Sequence, residues 1–232
     1  QLTWRANGQP LWQDQSLLDD PWGPPPPAVA DADPAELSRD LARMGHTVIS
    51  GLAYGVDQAA HRGALIAGGP TIAVLPGGVD RPYPVAHAQL LEAIAERGLV
   101  VSEAPPGAGP TRTRFLARNR IVAGLAEGTV VVEGAMRSGA LNTAHWTSNL
   151  HRPLMGVPGP VSSVASTGVN QLIRLGQASA VTNAQDVITD VMTHAARTAG
   201  GEHVDESFVP DPVRSPRRAA PGPAAGVSAP RR

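Results

Sequence analysis

Short Val- and Ile-rich runs alternate with helical segments along most of this chain, and that alternation limits the fold more than any other feature. The runs are "HTVIS" (46–50), "TIAVL" (71–75), "LVVSE" (99–103), "TVVVE" (129–133), "LMGVP" (154–158) and a weaker "SAVTN" (179–183). Between them lie "DQAAHRGALIAG", "VAHAQLLEAIAERG", "RFLARNRIVAGLA", "GALNTAHWTSNLH" and "GVNQLIRLG". Apolar runs without polar alternation suit strands covered on both faces. Strands separated by helices join in parallel through right-handed crossovers. The pattern predicts an α/β doubly wound, mostly parallel sheet.

The ends of the chain read differently. Residues 1–33, with "DDPWGPPPPAVADAD", show no sustained period and are expected to form an irregular Trp- and Pro-rich arm ending in a stiff proline linker. From Pro34 a helix is marked at both ends: "DPAELSRDLARMG" opens with Asp before a helix-entry proline and closes on Gly45. The folded domain is placed at 34–197. Residues 198–232 ("PDPVRSPRRAAPGPAAGVSAPRR" at their end) lack the bulky apolar residues a core needs, and a disordered basic tail is expected. An apolar fraction of 42% is ordinary for a globular core, and no run has bilayer length. With no basic, apolar leader at its start, the chain is expected in the cytoplasm, with no membrane partner. Having no cysteine, it can form no disulfide and do no thiolate chemistry.

The net charge of −1 hides an asymmetry. Between Ala104 and Gln185 two acids, Glu127 and Glu133, face seven arginines: Arg112, Arg114, Arg118, Arg120, Arg137, Arg152 and Arg174. A positive segment in a near-neutral protein is what an anion-binding face looks like in sequence. The plainer alternative is drift in an Arg-rich composition.

In open parallel sheets ligands bind beyond the carboxyl ends of the strands. The segments there, "SGLAYGVD", "PGGVDRPYP", "EAPPGAGP", "EGAMRSG" and "PGPVSSVASTG", are all rich in Gly, Pro or Ser. Glycines such as Gly51 and Gly55 let backbone N–H groups approach a ligand, and the helix N-termini beyond favour anions. No loop matches G-x-G-x-x-G or the lysine-bearing P-loop, so no dinucleotide or ATP cofactor is expected.

Within "TRTRFLARNR", Arg112, Phe115, Arg118 and Asn119 share roughly one face if the segment is helical. A cation beside an exposed ring holds single-stranded nucleic acid by pairing with phosphate while the ring stacks on a base. The alternative makes Phe115 a core anchor and the arginines a solvated face. Arg120, beside "IVAGLA", is the arginine best suited to a structural carboxylate pair. Ser138 and Gly139 fit a helix N-cap with open amides, and Arg137 adds a cation there.

Evidence for catalysis is thinner. Asp57 and His61 form an i, i+4 pair, but Asp57 suits a cap and His61 a place against the sheet. Glu103 and Glu133 end strands, yet no nucleophile elbow or carboxylate pair accompanies them. His87, His145 and His151 lack metal-ligand spacing, so no metal is expected.

From about Asp40 to Ile188 these motifs resemble the bacterial DNA-processing protein A (DprA, or Smf) family. The resemblance rests on "VISGLAYGVDQAAHRGAL", "TIAVLPGGVDRPYPVAH", "GLVVSEAPPG", "FLARNRIVAGLAEGTVVVEGAMRSGALNTA" and "GVPGPVSSVASTGVNQLIRLG". It implies a Rossmann-like domain without enzymatic activity that binds single-stranded DNA, forms a homodimer and helps load the RecA recombinase on DNA taken up in natural transformation. The family's pocket motifs fall on Arg112, Phe115, Arg118, Asn119, Arg120, Arg137, Ser138 and Gly139, with the Gly51–Gly55 loop on the same edge. The chain departs from the family just before the 34–45 helix. Where members carry a strand ending in Gly-Ser-Arg, it has "PPPPAVADAD", so the first strand is expected to be missing or replaced. The competing class is a nucleotide-processing hydrolase similar to the phosphoribohydrolases, suggested by "PGGVD"; that loop lacks the group's Gly-Thr and Glu.

Overall fold

The computed structural model describes residues 33–200. Helix α1 (Pro34–Arg43) leads into β1 (Val48–Ser50), α2 (Val56–Ile66), β2 (Thr71–Val74), α3 (Ala88–Arg97) and β3 (Leu99–Val101). A second series follows: α4 (Arg112–Leu125), β4 (Thr129–Val131), α5 (Gly139–Asn149), β5 (Leu154–Gly156), α6 (Thr167–Arg174), β6 (Ser179–Ala180) and α7 (Ala184–Ala199). All six apolar runs become strands. The last helix, α7, was not singled out in the sequence. It is capped by the Asn183 side chain, which accepts from the Asp186 N–H, and it seats Val187 in the core.

Every pairing is parallel, in two three-stranded halves ordered β1-β2-β3 and β4-β5-β6. Within each half the chain steps outward, so β1 and β4 are where its direction of travel reverses. Among the described residues nothing pairs with the other edge of β1 or of β4, the place where the first strand is expected to be missing or replaced. The segment "PPPPAVADA" and the rest of the proline-rich arm before Asp33 lie outside the described residues, as does the basic tail beyond Gly200.

Two helices join the halves. Helix α1 starts at Asp33, whose carboxylate accepts from the Ala35 N–H at 2.9 Å, with Pro34 pre-set for the first turn. It packs so closely on α2 that a Cβ at Gly63 would lie 2.1 Å from the Ala35 carbonyl oxygen. Leu37 of α1 enters the core of the second half with Val132, Met155, Val157 and Val181. The first half closes its own core with Leu52, Leu65, Leu75, Leu90 and Ile94 beneath α2 and α3. Each such side chain contributes about 1.5–3 kcal/mol when fully buried. Helix α4 is the second bridge, running from the end of β3 to the start of β4, and it carries most of the candidate site.

Candidate nucleic-acid interface

The carboxyl ends of all strands face one rim, and the reversal between β1 and β4 is where such folds place ligands. Helix α4 begins there because the Thr111 hydroxyl caps it, accepting from the Arg114 N–H at 3.3 Å. Its first turns project Arg112 into solvent and leave the Phe115 ring half-buried. Tyr83 meets that ring edge-on at 5.6 Å between centroids, and the Arg118 guanidinium lies 5.9 Å from its centroid. Both geometries fall in the range of favourable ring and cation contacts.

Arg118 itself is buried, only 7% exposed. Its Nη1 donates to the Val74 carbonyl at 2.7 Å, at the end of β2. The guanidinium fills the space where a Cβ would stand on Gly51, 1.6 Å from Nη1, so the loop after β1 closes only over a glycine. Burial holds the pKa of Arg118 below the usual arginine range, opposed by the nearby Asp57 carboxylate. Arg118 is thus a cation in the floor of the rim, beneath Gly51 and beside Phe115.

The remaining site residues separate by environment. Asn119 is buried, and its amide donates to the Gly139 carbonyl and to Asn142 Oδ1, both at 3.2 Å, which ties α4 to the first turn of α5. Arg120 pairs with Glu103, with both side chains about half exposed, in the structural role its sequence position suggested. Ser138 sits at the N-cap of α5 but makes no cap bond, its Oγ buried against Gly134 without a partner. Arg137, just before it, is exposed. Gly55 caps α2 in a left-handed conformation, φ 84°.

Two of the seven arginines leave the rim. Arg152 donates to the carbonyls of Ala123 and Ala126 at the end of α4, and Arg174 lies in the last turn of α6. Helix C-termini lie at the opposite edge of a parallel sheet, so charge counted along the sequence overstates the charge on the rim.

The loop after β1 is tied to its neighbours by hydrogen bonds. Asp57 accepts from the Ala53 N–H at 3.1 Å, and His87 Nδ1 meets the Leu52 carbonyl at 3.0 Å. Leu52 is fully buried at φ 62°, a conformation non-glycine residues seldom adopt. His61 packs against the sheet. The Thr71 hydroxyl donates to the Val48 carbonyl at 2.8 Å, so His61 Nδ1 donates to Thr71 at 2.7 Å. Burial lowers the pKa of His61 to about 4 and the imidazole is neutral, with Asp57 opposing the shift. Of the acids weighed for catalysis, Asp57 is held by the Ala53 N–H and Glu103 by Arg120; Asp80 of "PGGVD" accepts from the Gly107 N–H at 2.8 and 2.9 Å.

Reading the sequence missed three rim residues. Tyr54 follows β1 and is 67% exposed, Tyr83 follows β2 and is 44% exposed, and the Arg81 side chain is 63% exposed. The signal was available: the chain has two tyrosines, and each falls in a Gly/Pro-rich loop just beyond a strand.

Fold and rim together define a Rossmann-type α/β domain whose strand ends present guanidinium groups beside aromatic rings. The chain belongs to the DNA recombination-mediator protein A family, whose family model matches residues 31–192. It is 50% identical to a DprA-type DNA processing protein of Mycobacterium tuberculosis over 168 residues, 72% of this chain and 43% of that protein. Among solved structures it resembles DNA processing protein A of Streptococcus pneumoniae at TM-score 0.64 and 39% identity, covering 68% of this chain and 55% of that one. It also resembles the Helicobacter pylori DNA processing protein A, solved for its single-stranded DNA binding mode, at TM-score 0.64 and 31% identity, covering 78% of this chain and 84% of that one. The chain spans about half the length of the curated relatives it matches. No helix among the described residues is long and apolar enough to cross a membrane.

Proposed function

We propose that this chain binds single-stranded DNA along the strand-end rim and acts, without catalysing covalent chemistry, as a cytoplasmic recombination mediator. In this reading it works as a homodimer that protects DNA entering by natural transformation and helps load RecA on it. One observation carries the DNA-binding reading: the Phe115 ring, flanked by Tyr83 and Arg118, sits in the first turns of α4 next to the exposed Arg112. Stacking on a ring is available to an unpaired base, whereas duplex DNA keeps its bases stacked inside. Arg112 and Arg137 supply phosphate contacts, and Arg118 and Asn119 hold the rim in shape. Family membership and the likeness to the H. pylori protein support the same reading.

Fluorescence anisotropy with one labelled oligonucleotide, single-stranded and then annealed to its complement, tests it. The account expects the single strand to bind more tightly and Phe115→Ala to narrow the difference. Equal affinity for the two forms would overturn it. Incubation with nucleoside monophosphates is expected to release no base, and retention of purified RecA by the immobilised protein checks the partner.

A further inference from the structure

The cleft between the first turns of α2 and α3 takes no part in the reading above. It is lined by Tyr54, Gln58, Arg62, His87, Gln89 and Leu90 and encloses about 290 Å³. Tyr54 is the most exposed aromatic side chain among the described residues, although the loop that carries it is firmly held. Its ring meets the His87 ring edge to face, 4.7 Å between centroids at 67°.

His87 is fixed from both sides. Nδ1–H donates to the Leu52 carbonyl. With the Gln58 amide turned to satisfy its neighbours, its nitrogen donates to His87 Nε2 at 2.9 Å and its oxygen accepts from Arg62 at 2.7 and 3.2 Å. One side of the Tyr54 ring is therefore braced by an ordered polar relay while most of the ring stays open. A braced ring is pre-organised for a flat partner, because ordering it costs nothing further on binding.

The surroundings select the partner. The cleft opens beside the N-terminus of α2, which no side chain caps, and such a helix end favours a nearby anion. Gln58, Arg62 and His87 are bonded to one another and so offer shape rather than a hydrogen-bond code. A flat group attached to a phosphate, held without base preference, fits both conditions. Strands β1 and β2 are adjacent and parallel, so the loops of Tyr54 and Tyr83 leave the same edge from neighbouring strands. A strand seated at Phe115 and Tyr83 can continue to Tyr54.

We propose that the open face of Tyr54, above the cleft between α2 and α3, is a second nucleobase-stacking subsite of the rim, distinct from Phe115. It rests on the single-stranded DNA reading. The test uses oligothymidylate of about 15 nucleotides, within the usual range of site sizes. Binding is measured by anisotropy for the parent, Tyr54→Ala, Tyr54→Phe and Phe115→Ala. In parallel, an oligonucleotide carrying 5-iodouracil is photocrosslinked to the parent and the attached residue is mapped by mass spectrometry.

Tyr54→Ala is expected to weaken binding about 5- to 150-fold, the loss of one stacked base. Tyr54→Phe should keep the parent's affinity, and crosslinks should be recovered on Tyr54. Because Tyr54 is exposed, an unchanged melting temperature separates lost binding from lost folding. If Tyr54→Ala binds as the parent does and no crosslink maps to Tyr54 while Phe115→Ala is weakened, the subsite is rejected and the DNA-binding reading stands. If the parent binds no oligonucleotide, both fall. If Tyr54→Phe loses as much as Tyr54→Ala, the hydroxyl rather than the ring face is used and stacking is overturned.

Discussion

Replacing Gly51 with alanine adds a single methyl group where the structure has no room for it. The new Cβ would stand 1.6 Å from Arg118 Nη1, 2.2 Å from Cζ and 2.4 Å from Nη2, so the guanidinium must leave. Leaving breaks its 2.7 Å bond to the Val74 carbonyl and withdraws the cation from the Phe115 ring. A hydrogen bond made by a charged group is worth about 1.5–3 kcal/mol, and Gly51→Ala is expected to destabilise the protein by that amount. For a domain of this size the melting temperature should fall by roughly 3–12 °C. Urea unfolding followed by circular dichroism measures the loss, and a double-mutant cycle with Arg118→Ala identifies its cause. With the guanidinium gone the methyl group has space, and the cost of Gly51→Ala should shrink to within about 0.5 kcal/mol of zero. An equal cost in both backgrounds would show that the Gly51–Arg118 contact is not the reason for the glycine.

Other expectations follow from charge placement. His61 is neutral in the folded protein down to about pH 4, whereas in the unfolded chain it takes up a proton near 6.5. Between those values the unfolded state binds more protons, so this contribution is complete above pH 6.5, shrinks as pH falls and levels out below about 4. The gap is worth about 3 kcal/mol; His61→Asn should flatten the stability curve in that window, and identical slopes for variant and parent would contradict the assignment. Arg120→Ala should cost less than about 1 kcal/mol in urea unfolding, since it and Glu103 are both about half exposed. Because Glu103 already neutralises it, Arg120→Ala should also change the salt dependence of DNA binding less than Arg112→Ala does, and a larger change would make Arg120 a phosphate contact.

The strands and α1 were legible because a strand covered on both faces leaves no choice but an apolar run, and because Asp33 and Pro34 signal a helix start by local chemistry. Arg120 was legible too, since a guanidinium beside the apolar "IVAGLA" calls for a carboxylate partner. The burial of Arg118 was not. An arginine in the polar first half of a helix reads as solvent-facing, and its inward course depends on a missing side chain at Gly51, on a loop distant in sequence. Nor could a count of arginines assign Arg152 to the far edge of the sheet, which depends on where α4 ends in space. Tyr54 and Tyr83 stand singly in Gly/Pro-rich loops, where no periodicity marks which way a side chain faces.

Titrating single-stranded oligonucleotide at a series of salt concentrations tests the central claim most directly. The two phosphate contacts, Arg112 and Arg137, at about 0.7 each, give an expected slope near −1.4 in log affinity against log salt. Arg112→Ala should make the line shallower, while Phe115→Ala, which removes a neutral ring, should shift it to weaker binding at unchanged slope. Binding indifferent to salt, or a Phe115→Ala line that lies on the parent's, would contradict a rim that grips phosphate with guanidinium groups and bases with rings.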